Sequence, residues 1–122
     1  MKQYLIKTIV LFIIISLNAC LYKVPKPEVL PPIVDTVSYV ADVEPIFTDQ
    51  TCTNCHTASN PLNLLPGVSY ASIMSNDLVD TTDAENSRIY YYCLPTGTHF
   101  QRYTAEQANI VLAWINQGAL DN

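Results

Sequence analysis

The order of apolar and polar positions divides this chain into three stretches. Residues 9–15 read Ile-Val-Leu-Phe-Ile-Ile-Ile without interruption. Residues 21–37 lose that density and carry Pro25, Pro27, Pro31 and Pro32, half of the eight prolines, with no glycine. From Ser38 onward apolar residues recur at helical spacing. Asp42 is placed to cap a short helix over 43–51, with Pro45 tolerated in its first turn and Val43, Ile46 and Phe47 forming its apolar stripe. Residues 69–75 predict another turn or two, with Tyr70, Ile73 and Met74 facing inward. Thr82 or Asp83 opens a third element carrying Ile89, Tyr90, Tyr91 and Tyr92. The clearest helix comes last: Thr104 and Gln107 form a capping box, Ala108, Val111, Leu112 and Ile115 repeat on one face, and Gly118 ends it. Strand signals are weak throughout. The expected class is all-α, three to four short helices joined by long loops.

The first stretch matters for location. Met1, Lys2 and Lys7 make a basic start, and the apolar run is short for a membrane span but suited to a secretory signal. Leu17-Asn18-Ala19-Cys20 resembles the lipobox of bacterial lipoproteins, in which the cysteine receives the lipid. That resemblance implies removal of residues 1–19 and an exported, membrane-anchored protein held through Cys20, on the periplasmic side or at the cell surface. An uncleaved anchor helix is the other reading of the same run. Residues 20–37 then form a tether which, extended at about 3.1 Å per residue, reaches at most about 50 Å. Its second half could instead pack on the domain through Ile33, Val34 and Val37. Residues 38–122 form the folded unit. A core that small is marginal unless something staples it.

Cys52-Thr53-Asn54-Cys55-His56 supplies a candidate staple. Two thiols three positions apart lie on one side of a single turn and can meet both vinyl groups of one haem, and the next residue can place an imidazole under its iron. Cys52 and Cys55 are therefore candidate attachment sites for a c-type haem (heme c), with His56 as proximal iron ligand. A zinc half-site and a surface disulfide are the alternatives. With Cys20 assigned to lipid, Cys93 is the one cysteine left over, and it reads first as a small buried hydrophobe.

Asp42-Val43-Glu44-Pro45-Ile46-Phe47, the cysteine–histidine motif and Trp114-Ile115-Asn116-Gln117-Gly118-Ala119 together resemble the small single-haem cytochrome c domains of bacterial lipoproteins and planctomycete-type cytochromes. The likeness spans roughly residues 39–120. It implies a cytochrome c-like fold whose opening and closing helices cross, loops wrapped around one covalently bound haem, and Trp114 packed near that haem. The chain departs from the family pattern at one place. Such domains often present Met-Pro before the last helix, the methionine closing the iron's sixth position, and here that stretch reads Cys93-Leu94-Pro95. Leucine cannot ligate. His99, on the same loop, is the leading candidate for distal ligand, with Cys93, Met74 or an open site as alternatives.

Tyr70, Tyr90, Tyr91, Tyr92 and Tyr103 could wall a haem, and Arg88 or Arg102 could pair with a propionate. Beyond residue 19 four basic side chains face eleven acidic ones, a formal charge of −7. Such a balance disfavours nucleic acid and favours a redox partner protein with a basic docking patch. No nucleophile elbow, paired-carboxylate motif or phosphate-cradling glycine loop occurs, and the chain holds only three glycines. The expectation is therefore electron transfer by one haem rather than enzymatic catalysis. A haem-based sensor with an open sixth site and a non-haem metal or structural module are the alternatives.

Overall fold

The computed structural model describes residues 30–122. Cys20, the 1–19 segment and the first half of the tether lie outside them. The described residues form short helices and no strand: a π-helical turn Tyr39–Val43, α1 (Glu44–Asp49), a 3-10 turn Cys52–Asn54, α2 (Ser69–Ser75), a 3-10 turn Ala84–Asn86, α3 (Arg88–Tyr91) and α4 (Ala105–Asn116). The class is all-α, and α2 has the limits its pattern predicts. Among the described residues no helix is long and apolar enough to cross a membrane.

The opening helix begins a turn earlier than its apolar stripe indicates. Ser38, not Asp42, is its cap: the Ser38 hydroxyl accepts from the Ala41 amide at 3.2 Å, and the Asp42 carboxylate accepts from the Ser38 amide at 2.8 Å. This exchange satisfies two of the amide donors a helix start leaves orphaned. Pro45 falls in the first turn of α1, where its missing N–H does no harm. The third element is likewise divided. Ser87 breaks it into the turn Ala84–Asn86 and α3, its hydroxyl accepting from the Asp80 amide at 2.8 Å and donating to the Asp80 carbonyl at 3.2 Å.

Helix α4 carries both predicted caps. Thr104 accepts from the Gln107 amide at 3.1 Å, and the Gln107 side chain accepts from the Thr104 amide at 2.9 Å. At the other end the Ala119 amide donates to Trp114 at 2.9 Å and the Gly118 amide to Ile115 at 3.0 Å, with Gly118 at φ 99. That pair of bonds is the Schellman stop, and the left-handed φ is why glycine stands there.

The opening helical segment packs on α4. Tyr39 and Val43 on its first turn pack on α4, and Ile46 and Phe47 share one buried core with Ala108, Val111, Trp114 and Ile115. Trp114 sits at the centre of an aromatic cluster, 5.2 Å from Tyr39 and 6.4 Å from Tyr70 between ring centroids, and its Nε1 donates to the Leu120 carbonyl at 2.9 Å. A buried polar chain runs through the same region: the Tyr39 hydroxyl donates to Ser69 at 2.7 Å, and Ser69 donates to Glu44 at 2.6 Å. Glu44 also accepts from the Gly67 amide at 2.8 Å, which ties α2 to the opening helix. Ahead of residue 38, Val37 is buried, while Gln117 holds both the Val37 amide at 2.8 Å and the Asp35 carbonyl at 2.9 Å. Asn109 donates to the Pro31 carbonyl at 2.9 Å. The second half of the proline-rich segment thus lies along α4, with Ile33 partly buried and Val34 exposed.

Met74 departs from its inward expectation. It stands on the outer face of α2, 38% exposed, whereas Ile73 beside it is fully buried. A helix this short presents only one residue or two per turn to the core.

Candidate functional site: a cleft between two histidine-bearing loops

The chain leaves α1 through Thr51, whose backbone is left-handed at φ 56. This bend turns the backbone directly into the 3-10 turn Cys52–Asn54, closed by amide bonds from Cys55 and His56 to the Cys52 carbonyl at 3.1 and 2.9 Å. Cys55 follows this turn as its C-cap at φ -107, and the two thiols, expected on one side of a turn, differ in surroundings. Cys52 is buried and lines a cleft, whereas Cys55 is exposed and is not part of its wall. Both are free thiols, as is Cys93. Burial, partly offset by a backbone hydrogen bond, pushes the Cys52 thiol above its ordinary value.

The cleft has a cavity volume of about 180 Å³ and opens on one side to solvent. Its apolar lining comes from Phe47, Leu62, Leu64, Leu78 and Ile89, and its polar groups are Cys52, His56, Arg88, Tyr92, Cys93, His99 and Tyr103. Two loops bring the histidines here. After His56 the chain is stitched by asparagines: Asn60 accepts from the Leu62 amide and Asn63 from the Leu65 amide, each at 3.0 Å, and Asn76 donates to the Pro61 carbonyl at 3.1 Å. The first two are Asx turns. His99 rides on the stretch 94–102, whose neck is closed by the Tyr103 amide on the Cys93 carbonyl at 2.7 Å.

Across the cleft the rings of His56 and His99 face each other, centroids 6.0 Å apart and planes 29° from parallel. Each ring is fixed in the same way. His56 Nδ1 lies 3.3 Å from the Leu62 carbonyl and His99 Nδ1 lies 2.9 Å from the Gln101 carbonyl. A carbonyl only accepts, so each Nδ1 is the donor of its contact. Both imidazoles and the Cys52 thiol border one largely apolar surface, a donor set whose chemistry is compatible with a haem. Among the described residues no three His, Cys, Asp or Glu side chains converge as a metal cage. A closed zinc site takes four such ligands.

The other sequence candidates fall into place around this pair. Cys93 lines the cleft half-buried; burial first, then the nearby Cys52, push its thiol up to about 11, against a hydrogen bond with Tyr103 that pulls it down. At neutral pH it is a thiol rather than a thiolate, a poor iron ligand. Met74 is not part of the lining, and neither is Trp114, which belongs to the aromatic core on the far side of Tyr39. Of the tyrosines only Tyr92 and Tyr103 reach the cleft, while Tyr91 is exposed and Tyr70 packs on Trp114. The two arginines separate as well. Arg88 lines the cleft, whereas Arg102 is spent on the loop, its Nε donating to the His99 carbonyl at 3.1 Å and its Nη1 to the Pro95 carbonyl at 3.4 Å.

Sequence reasoning missed the carbonyls of Leu62 and Gln101, which set both tautomers. The closely spaced Asn60 and Asn63 were a usable signal for the first of these loops, since Asx turns expose neighbouring backbone groups. No protein-family model matches the chain, and neither a curated protein nor a solved structure matches it.

Proposed function

We propose that this chain is a single-haem c-type cytochrome, cytochrome c-like in fold, that passes electrons between partner proteins while anchored to a membrane. One observation supports the reading: Cys52 and His56 of the Cys-Thr-Asn-Cys-His motif and His99, far apart in sequence, line one largely apolar cleft, with Cys55 exposed beside it. Cys52 and Cys55 would hold the haem covalently, His56 would take one face of its iron and His99 the other. When bound, the haem would supply one-electron cycling between ferric and ferrous iron. The chain's own work is to fix both imidazoles, to line the cleft with apolar side chains that exclude water, and to keep Arg88 at hand for a propionate.

Cys20 would carry the lipid, which places the domain outside the cytoplasm, and the acidic surface suits a redox partner with a basic docking patch. The test is an absorption spectrum of the purified protein in both oxidation states, with haem staining after denaturation. A stain retained by the denatured chain together with a low-spin ferric spectrum supports the reading. Complete extraction of the haem by acid-acetone overturns it, and a high-spin wild-type spectrum turns the assignment toward an open-site sensor.

A further inference from the structure

The 94–102 loop holds itself together but is tied elsewhere at one point. Its bonds run within the loop and its neck: the Gly97 amide to Leu94 at 2.8 Å, the His99 amide to Tyr92 at 3.0 Å, and both Arg102 bonds. Among the described residues one hydrogen bond joins it to a distant part of the chain, from Gln101 Nε2 to Thr51 Oγ1 at 2.7 Å. Thr51 directly precedes Cys52. Gln101 therefore acts twice, its carbonyl fixing the His99 ring and its amide gripping the segment that carries the opposite ligand.

We propose that Gln101 is the positioning residue for His99, and that its bond to Thr51 is the latch that holds the distal imidazole over the cleft. This rests on the assignment of His99 as iron ligand made above. A second feature points the same way. Thr51 occupies the left-handed position just past α1, φ 56, where glycine or asparagine is preferred and a β-branched residue is strained. Glycine would relieve that strain but has no hydroxyl to offer Gln101. The strained residue is the one that supplies the acceptor.

Breaking the latch frees the loop to lift His99 away, so an external ligand enters the sixth position faster. The experiment uses the covalently loaded protein and reads carbon monoxide binding to the ferrous form, the ferric spin state and the denaturation midpoint. Gln101→Ala and Thr51→Gly should each speed carbon monoxide binding about three- to tenfold, the worth of one hydrogen bond. The double variant should do no more than either single one. Thr51→Ser, which keeps the hydroxyl, should bind at the wild-type rate. Thr51→Gly should hold or raise the denaturation midpoint, so a faster rate in that variant does not come from a weakened fold. Wild-type rates in Gln101→Ala and Thr51→Gly, with His99→Ala binding rapidly, refute the latch and leave the ligand standing. A wild-type protein that is high-spin and indifferent to His99→Ala overturns the ligand, and the latch with it.

Discussion

His56 and His99 stand on facing sides of one cleft, centroids 6.0 Å apart, each with Nδ1 held by a backbone carbonyl. Because the carbonyls belong to Leu62 and Gln101, local loop geometry rather than side-chain chance decides which nitrogen is left to bind. Removing one partner should therefore expose one face of the iron and leave the other held. His99→Ala should convert a low-spin ferric spectrum to a high-spin or water-ligated one, with rapid carbon monoxide binding in the ferrous state. The wild type should show no sulfur-to-iron charge-transfer band, and its potential should lie below that of methionine-ligated cytochromes, since the thioether favours ferrous iron. An unaltered low-spin spectrum in His99→Ala would remove His99 from the iron.

Attachment depends on the other loop. Cys52→Ala or Cys55→Ala should weaken or abolish haem that survives denaturation, and His56→Ala should yield a misligated or unstable product. The check is haem staining on a denaturing gel beside the intact mass of the chain. Undiminished covalent haem in both cysteine variants would sink the assignment.

Under the proposed reading, in which Cys52 and Cys55 would carry haem and Cys20 lipid, Cys93 is the remaining thiol. Its folded value of about 11 lies above the ordinary 9.0, chiefly through burial. The folded state then holds the proton more tightly than the unfolded one. The stability from this group is complete below about 9 and is lost as pH rises through about 11. The Cys52 contribution disappears on haem attachment, while burial remains. Iodoacetamide labelling followed by mass spectrometry should be slow at neutral pH and accelerate only in that alkaline window. Labelling at pH 7 as fast as a free cysteine would show the thiol to be neither buried nor protonated as described.

Trp114 offers a separation of core from cleft. Trp114→Phe loses the indole bond to the Leu120 carbonyl and leaves a void beside Tyr39, which should cost about 1–3 kcal/mol. The haem spectrum should not move, because Trp114 does not line the cleft. Thr104→Ala, which removes the α4 cap, should cost about 1 kcal/mol. Denaturation curves and spectra on the same samples decide both, and a shifted spectrum in Trp114→Phe would place the indole at the haem after all.

Anchoring is read at the mature N-terminus. Mass spectrometry should find a lipid-modified Cys20, and Cys20→Ala should release or mislocalise the domain. An unmodified start at Met1 would refute the lipoprotein assignment.

What the sequence determined by itself was whatever depends on neighbours a few positions apart. The Thr104–Gln107 box, the Gly118 stop, the limits of α2 and the Cys52–His56 turn are all of that kind, since capping and turn bonds span three to five residues. The Ser38 cap was local too, but it was hidden because Asp42, a good cap residue, stood nearer the apolar stripe and serves Ser38 instead. Only the tertiary structure decided that His56 and His99 line one cleft, that Arg88 rather than Arg102 lines it, and that Trp114 stays with Tyr39. The bonds that hold each histidine ring are short-range, but the two loops meet on one cleft only through contacts across long stretches of chain, as Gln101 makes with Thr51, fifty positions away. Pattern along the chain records which faces are apolar; it carries no term for where a loop's carbonyl will point once both ends of that loop are packed.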